Sequence, residues 1–237
     1  MDIKKEIYTV NNIIEEAEGI VTICLVPENG EMLVFEPGQF VRVDLINNPN
    51  NLSSKSYSIS STFKDPFLSI SVKKIGPFSG ALHDLKVGDK VSLMGPLGSF
   101  TVQDFIKKIV FLAGGIGIAP FYSTIKDIYE KGDRDREIYL FYSNKTKKDI
   151  AFFEQLQKIE KEWSGLHVIH LLTQEDNKVN GVEEYGRING ETIKKYVSNF
   201  NDFNYFVCGA MDFVTETSKI VEDEGVDDGQ ILAELFY

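Results

Sequence analysis

The chain is poor in several things that would otherwise suggest a function. Its 237 residues include two cysteines, Cys24 and Cys208. They stand far apart, without a C-x-x-C spacing, so the chain holds no thiolate set for an iron–sulfur cluster of its own. Two reduced thiols in a cytoplasmic protein are the simplest expectation. Three histidines leave little material for a metal site, and none is expected. No apolar run approaches the length of about 18 residues that a membrane span needs. The opening MDIKKEIYTV is polar and carries no apolar leader. Positive charge is also scarce: 25 Lys and Arg against 36 Asp and Glu, a net of −11. That argues against a general nucleic-acid binder, which needs a basic surface. It also means that any phosphate-bearing ligand has to be met by local lysines or backbone donors.

A hydrophobic fraction of 43% remains, enough for one large core or two ordinary ones. Short β-prone segments fill the first hundred residues: Glu6–Val10, Ile20–Val26, Gln39–Leu45, Tyr57–Ser60, Phe67–Lys73 and Lys90–Met94. In Phe67–Lys73, Leu68, Ile70 and Val72 share one face. Strands at this spacing, punctuated by Pro-Gly, Asn-rich and Gly-Asp turns, predict a small antiparallel barrel or sandwich. From about Asp104 the rhythm changes. Strands at Ile109–Ala113, Glu137–Tyr142, His167–Leu172, Tyr205–Cys208 and Ile231–Phe236 alternate with helical patterns. Those helices fall at Pro120–Lys131, Asp149–Glu162, Glu191–Val197 and Met211–Glu224. Such alternation predicts an open, mostly parallel α/β sheet. The expected division is residues 1–104 and 105–237.

The stretch Leu112-Ala-Gly-Gly-Ile-Gly-Ile-Ala-Pro-Phe121 joins a strand to a helix. Gly114, Gly115 and Gly117 allow a tight turn with no side chain between ligand and backbone. The following helix offers unpaired N–H groups to a phosphate. Pro120 is tolerable early in a helix, where its missing donor would be unpaired anyway. An acid about 20 residues on, which would mark an NAD ribose site, is not evident.

Two barrel segments carry further chemistry. Ser54-Lys-Ser-Tyr-Ser-Ile-Ser60 places Lys55 and Tyr57 on one face and Ser56 and Ser58 on the other. Tyr57 offers a flat apolar surface beside hydroxyls, and Lys55 a charge for phosphate. In Gly76-Pro-Phe-Ser-Gly-Ala-Leu-His83, Gly76, Ser79 and Gly80 bring backbone donors and a hydroxyl together, with one helical turn expected at Ala81–Leu85. Each segment also reads as ordinary structure: a solvated edge strand and a connector.

In combination the segments resemble the ferredoxin–NADP reductase superfamily, in its order and over nearly the whole chain. Pro37-Gly-Gln-Phe40 is similar to its barrel-strand signature. Lys55-Ser-Tyr57-Ser58 is similar to R-x-Y-S, with Lys for Arg. Gly76-Pro-Phe-Ser79 resembles G-x-x-S/T, and Gly95-Pro-Leu-Gly-Ser-Phe100 resembles G-P-x-G-x-F. AGGIGIAP resembles G-G-x-G-x-x-P, in which Pro120 is expected. Tyr205-Phe-Val-Cys-Gly209 resembles Y-x-C-G, and Glu234-Leu-Phe236 the E-x-F ending. Ala210 stands where the family often has Pro.

The resemblance implies a flavin-binding barrel, with FAD or alternatively FMN, and an α/β half for NADH or NADPH. It places Tyr57 on the isoalloxazine, Ser58 near its reactive nitrogen and Lys55 on a flavin phosphate. Val72 and Lys73 would flank the ribityl chain or ring edge, and Ser79 with its neighbouring amides would hold phosphate. Cys208 and Gly209 would meet the nicotinamide. Glu234 would lie in the cleft near Ser58 or Cys208, and Phe236 or Tyr237 would cover the flavin. The implied activity is hydride exchange between nicotinamide and flavin, with electrons passed to a separate ferredoxin, flavodoxin or iron–sulfur oxygenase component. Lys145, Lys147 and Lys148 are a candidate basic patch for such a partner. A free-flavin reductase and a non-catalytic electron-transfer or regulatory subunit stay open as alternatives. Leu172-Thr-Gln-Glu-Asp176 lacks the Arg usual for a 2′-phosphate, which favours NADH, although Lys145 lies within the same region.

Overall fold

In the computed structural model, residues 4–48, 50–175 and 178–236 are described. Six strands build the first sheet: β1 (Lys4–Ala17), β2 (Ile20–Pro27), β3 (Phe40–Leu45), β4 (Lys55–Ser58), β5 (Leu68–Lys73) and β6 (Lys90–Leu97). Their spatial order is β4-β3-β6-β1-β2-β5, with antiparallel pairing throughout. The sheet curls until its ends meet at an Ile59–Ile70 bridge, forming a barrel. Closure removes the open edges that would otherwise invite aggregation. The inward side chains, among them Tyr8, Ile23, Leu25, Val41, Ile70, Val72 and Leu93, pack as one apolar cluster. A short helix α1 (Pro77–His83) bridges β5 and β6.

The second sheet holds β7 (Lys108–Gly114), β8 (Glu137–Asn144), β9 (Leu166–Leu172), β10 (Glu184–Tyr185), β11 (Asn204–Ala210) and β12 (Ile231–Phe236). It is parallel and ordered β10-β9-β8-β7-β11-β12. Helices α2 (Ile118–Lys131) and α3 (Phe153–Glu162) lie against one apolar cluster. Helices α4 (Gly190–Lys194) and α5 (Met211–Asp223) lie against another. Strand order reverses between β7 and β11. Open α/β sheets bind ligands at the carboxyl ends of strands flanking such a reversal. Here those ends carry Gly114–Gly117 and Cys208–Gly209.

Among the described residues no helix is long and apolar enough to cross a membrane. No group of three or more His, Cys, Asp and Glu among them is suited to hold a metal ion.

Candidate functional site

β4 is a four-residue strand whose ladder partner is β3, and it lies at the seam where the barrel closes on β5. Lys55 is exposed, and no salt bridge engages it among the described residues. Tyr57 is half-buried, and its ring stacks on Phe78 of α1 with centroids 6.3 Å apart and planes 20° from parallel. That contact brings the aromatic strand and the first turn of α1 into one wall. Burial pushes the Tyr57 phenol up to about 12, so it stays neutral as a flat surface.

Pro77 starts α1, where its missing N–H costs nothing. The Ser79 hydroxyl accepts from the N–H groups of Ile75 (2.9 Å) and Gly76 (3.0 Å) and donates to Gly76 O (3.0 Å). It is therefore spent on closing the turn. The phosphate donors the turn can offer are the amides of Phe78 and Ser79, which precede the first intrahelical bond, Gly80 N–H to Gly76 O at 2.8 Å. A Cβ at Gly76 would meet nothing within 4 Å, so the approach is open.

Two expected flavin neighbours point their side chains elsewhere. Val72 is fully buried in the barrel core, and its carbonyl lies 2.9 Å from His83 Nε2. Lys73 pairs with Asp149 of the other half at 3.7 Å. Alternation along β5 and the pull of an acid explain these two side-chain placements.

The glycine turn is built by steric exclusion. A Cβ on Gly117 would overlap the backbone of Cys208 and Gly209. One on Gly114 or Gly209 would press on the Phe213 ring at 2.8 Å. Gly115 has φ +52 and open space around it, so it serves the turn's conformation. Residues 115–117 form one 3₁₀ turn, and Pro120 follows as the third residue of α2. Its carbonyl accepts the Thr124 hydroxyl at 2.9 Å. Phe213, which lies over two of these glycines, had no place in the sequence reading. Its sign was an aromatic side chain four residues past Gly209, in the first turn of a helix.

Three residues of the candidate site come together where the two halves meet. Cys208 and Glu234 are register partners in β11 and β12. The Ser58 hydroxyl donates to Glu234 Oε2 at 3.4 Å across the boundary. Cys208 is fully buried, and burial first, then the nearby Glu234, pushes its thiol well up. Burial lifts Glu234 to about 7 against the opposing pull of the Ser58 bond. A thiol this hard to ionise acts as a small neutral surface, while Glu234 is poised to hold or lose a proton near neutrality.

Phe236 sits beside Ala210 and packs partly against the α2–α3 core, and Tyr237 lies outside the described residues. Of the lysines in the expected partner patch, Lys145 and Lys148 are exposed, and the Lys147 side chain is drawn into local structure. Lys147 Nζ donates to Asn180 O at 3.0 Å and lies over the Phe153 ring, and Lys148 O accepts the Glu18 N–H. Glu175 Oε1 accepts the Lys147 N–H at 3.2 Å, and Asp176 lies outside the described residues. A polar cavity of about 190 Å³ lies apart from all of these, between Glu36, Asp104 and the second half of α2.

An aromatic and hydroxyl wall on a barrel, beside a glycine turn at the switch point of a parallel sheet, is an arrangement suited to a flavin next to a pyridine nucleotide. Comparison with known proteins agrees half by half. The oxidoreductase FAD-binding domain family matches residues 16–102, and the oxidoreductase NAD-binding domain family matches residues 111–219. Each half of the chain thus matches an oxidoreductase domain family, one that binds FAD and one that binds NAD. A flavohemoprotein of Rhodopirellula baltica is 26% identical over 97% of this chain and 60% of its own length. The glycine betaine monooxygenase reductase subunit of Pseudomonas aeruginosa is 26% identical over 94% of this chain and 62% of its own. The chain thus spans about three-fifths of these curated relatives. Among solved structures, the FAD/NAD-binding domain of a Vibrio cholerae nitric oxide dioxygenase superposes with a TM-score of 0.87 at 22% identity, covering 98% of both chains. A Neisseria gonorrhoeae ferredoxin–NADP⁺ reductase with bound FAD and NADP gives 0.83 at 20% identity over 100% of both.

Proposed function

We propose that the chain is an FAD-dependent NAD(P)H reductase that hands its electrons to a separate redox protein. The observation that carries this reading is the convergence of Ser58, from the barrel, with Glu234 and Cys208, from the parallel sheet. The residues also fit FAD: a flat neutral aromatic face, an open glycine turn with two free amides, and an unengaged lysine. FMN would use the same face but leave part of that turn without a ligand. Bound flavin supplies a two-electron acceptor for nicotinamide and a donor of single electrons to a partner.

The protein's own work is binding and orientation. Tyr57 covers one face of the flavin, and Ser58 donates its hydroxyl near the reactive edge. Lys55 and the amides around Gly76 and Ser79 hold phosphate, with Val72 and Lys73 contributing backbone alone. The turn at Gly114, Gly115 and Gly117, with Pro120 fixing the start of α2, receives the nucleotide pyrophosphate. Cys208 and Gly209 border the nicotinamide, and Phe236 shields the site from water. Glu234 keeps a proton available beside Ser58. The flavin half is residues 1–104 and the nucleotide half 105–237.

Support for a protein acceptor comes from relatives. One is named a monooxygenase reductase subunit and another the electron transfer component of toluate 1,2-dioxygenase. With two cysteines in this sequence, any iron–sulfur cluster belongs to another polypeptide or segment. An oxygenase component, ferredoxin or flavodoxin fits that role, in a cytoplasmic setting. Glu175 at the end of β9 disfavours a 2′-phosphate, so NADH is the preferred donor.

The test is anaerobic titration of purified protein. A yellow protein whose bound FAD is bleached by NADH, more readily than by NADPH, is expected. Colourless protein that turns over added flavin would make it a free-flavin reductase, and no response to either nucleotide would leave a non-catalytic subunit.

A further inference from the structure

The β1–β2 hairpin crosses the boundary between the halves. Its tip carries Ile20 into the apolar core under α2 and α3, where it is fully buried in one cluster with Phe100 and Phe111. Polar contacts surround this plug. Glu18 N–H donates to Lys148 O at 2.9 Å, and Gln155 Nε2 of α3 donates to Glu16 Oε2 at 3.3 Å. Behind Glu16 a chain of buried hydroxyls runs Thr22–Ser71 (2.7 Å), Ser71–Ser60 (2.9 Å) and Ser60–Ser69 (2.9 Å). The adjoining Ser61 carbonyl accepts the Ser123 hydroxyl of α2 at 2.7 Å. Small hydroxyls bury little apolar area, so this face adheres weakly, and directional contacts at its margin fix the placement.

Glu16 differs from the other marginal contacts because of what it meets. α3 begins without a side-chain cap of its own. Its N-cap residue is Phe152, in the left-handed region at φ 59, with its ring stacked 3.9 Å from that of Tyr122 on α2. A bulky residue in that region is strained and persists only where its surroundings hold it. Burial raises the Glu16 carboxyl above its ordinary range, and the Thr22 hydroxyl, Gln155 and the Phe152 amide pull the other way. A carboxyl from the barrel thus meets the first turn of α3 through the Gln155 side chain, at the helix end where negative charge is favoured.

We propose that Glu16 is a positioning residue that sets the angle between the halves through its contact with the first turn of α3 across their boundary. The proposal rests on the reductase reading, because only a reaction spanning the boundary makes that angle matter for rate. The Phe152–Tyr122 stack joins α3 to α2, and α2 begins at the glycine turn. A shift of α3 is thereby passed to the nucleotide side of the site. A misplacement of about 1 Å is enough to cost a large part of a rate.

Cys24 provides a reporter that needs no turnover. It is fully buried opposite Ser69 on the hydroxyl face. Thiol labelling of the FAD-loaded protein, with peptide mapping to separate Cys24 from Cys208, measures opening of the halves. Glu16→Ala is expected to label Cys24 about tenfold faster and to reduce flavin about tenfold more slowly at saturating NADH, with FAD content unchanged. Glu16→Gln keeps an acceptor oxygen and should return both values close to wild type. Glu15→Ala, an exposed neighbour on β1, should move neither. Gln155→Ala removes the contact from the helix side and stands in if Glu16→Ala does not fold. Wild-type labelling in both Glu16→Ala and Gln155→Ala overturns the proposal, and faster labelling with an unchanged reduction rate overturns its link to the reaction. If NADH and NADPH both fail to reduce the wild-type flavin, the reductase reading falls, and labelling alone still decides whether Glu16 holds the halves together.

Discussion

The barrel and the parallel sheet build their halves of the site from opposite materials. On the barrel the proposed ligand face is made of side chains: the Tyr57 ring, the Ser58 hydroxyl and the Lys55 ammonium. On the sheet it is made by leaving side chains out, since Gly114, Gly117 and Gly209 are packed so tightly that a Cβ would strike Phe213 or the Cys208 backbone. Changes to a side-chain site grade its function, whereas changes to an excluded-volume site fail as a step.

The hardest test of this contrast is Gly117→Val. Its side chain must displace the Cys208 backbone, at a cost of at least about 3 kcal/mol. We expect lost NADH binding together with a lowered urea midpoint. Gly115→Ala, with no neighbour to strike, should cost only about 1 kcal/mol for its positive φ. Equal losses in the two variants would show that conformation, and not exclusion, governs the turn.

On the barrel, Ser58→Ala should retain flavin but slow its reduction about a hundredfold in stopped-flow absorbance, as removal of one preorganised donor does. An unchanged rate would move Ser58 out of the reaction. The Glu234 carboxyl, lifted by burial from 4.5 to about 7, binds its proton more tightly in the folded protein than in the unfolded chain. Stability from this group is therefore full below pH about 4.5 and is lost as pH rises through about 7. Urea midpoints of the wild type should fall across that window relative to Glu234→Gln, and parallel profiles would contradict the burial argument. The smallest effect belongs to Lys55→Arg. A planar fork in place of a point charge should tighten FAD retention by a few-fold, about 1 kcal/mol, measured by dialysis against flavin-free buffer.

How far the sequence carried depended on whether a signal was local. The two sheets and their order along the chain followed from alternation and from strand–helix rhythm. β1 was expected at Glu6–Val10 but runs from Lys4 to Ala17. Irregularities at Val10/Asn12 and Glu15/Ala17 break its alternation, and pairing to β2 carries it past the Asn pair. α1 was expected as a turn at Ala81–Leu85, yet it starts at Pro77, where proline marks a first helical residue. The helix expected from Asp149 splits into a 3₁₀ turn at Lys147–Asp149 and α3 from Phe153, because Phe152 breaks the helical backbone. Lys55, Tyr57 and the glycines announced themselves by residue type and spacing. Nothing near Glu16 in the sequence points to Gln155, and nothing near Gly114 points to Phe213. Contacts between distant segments leave no trace in local pattern.

Ile20 bears on how such proteins are recombined. A chimera that joined this barrel to a relative's nucleotide half at the intervening linker would carry the hairpin tip with it. The incoming half would then have to offer a socket shaped for that isoleucine. The unit that can be exchanged is thus larger than the sheet boundaries suggest, and a workable graft would move the socket under α2 and α3 along with the hairpin.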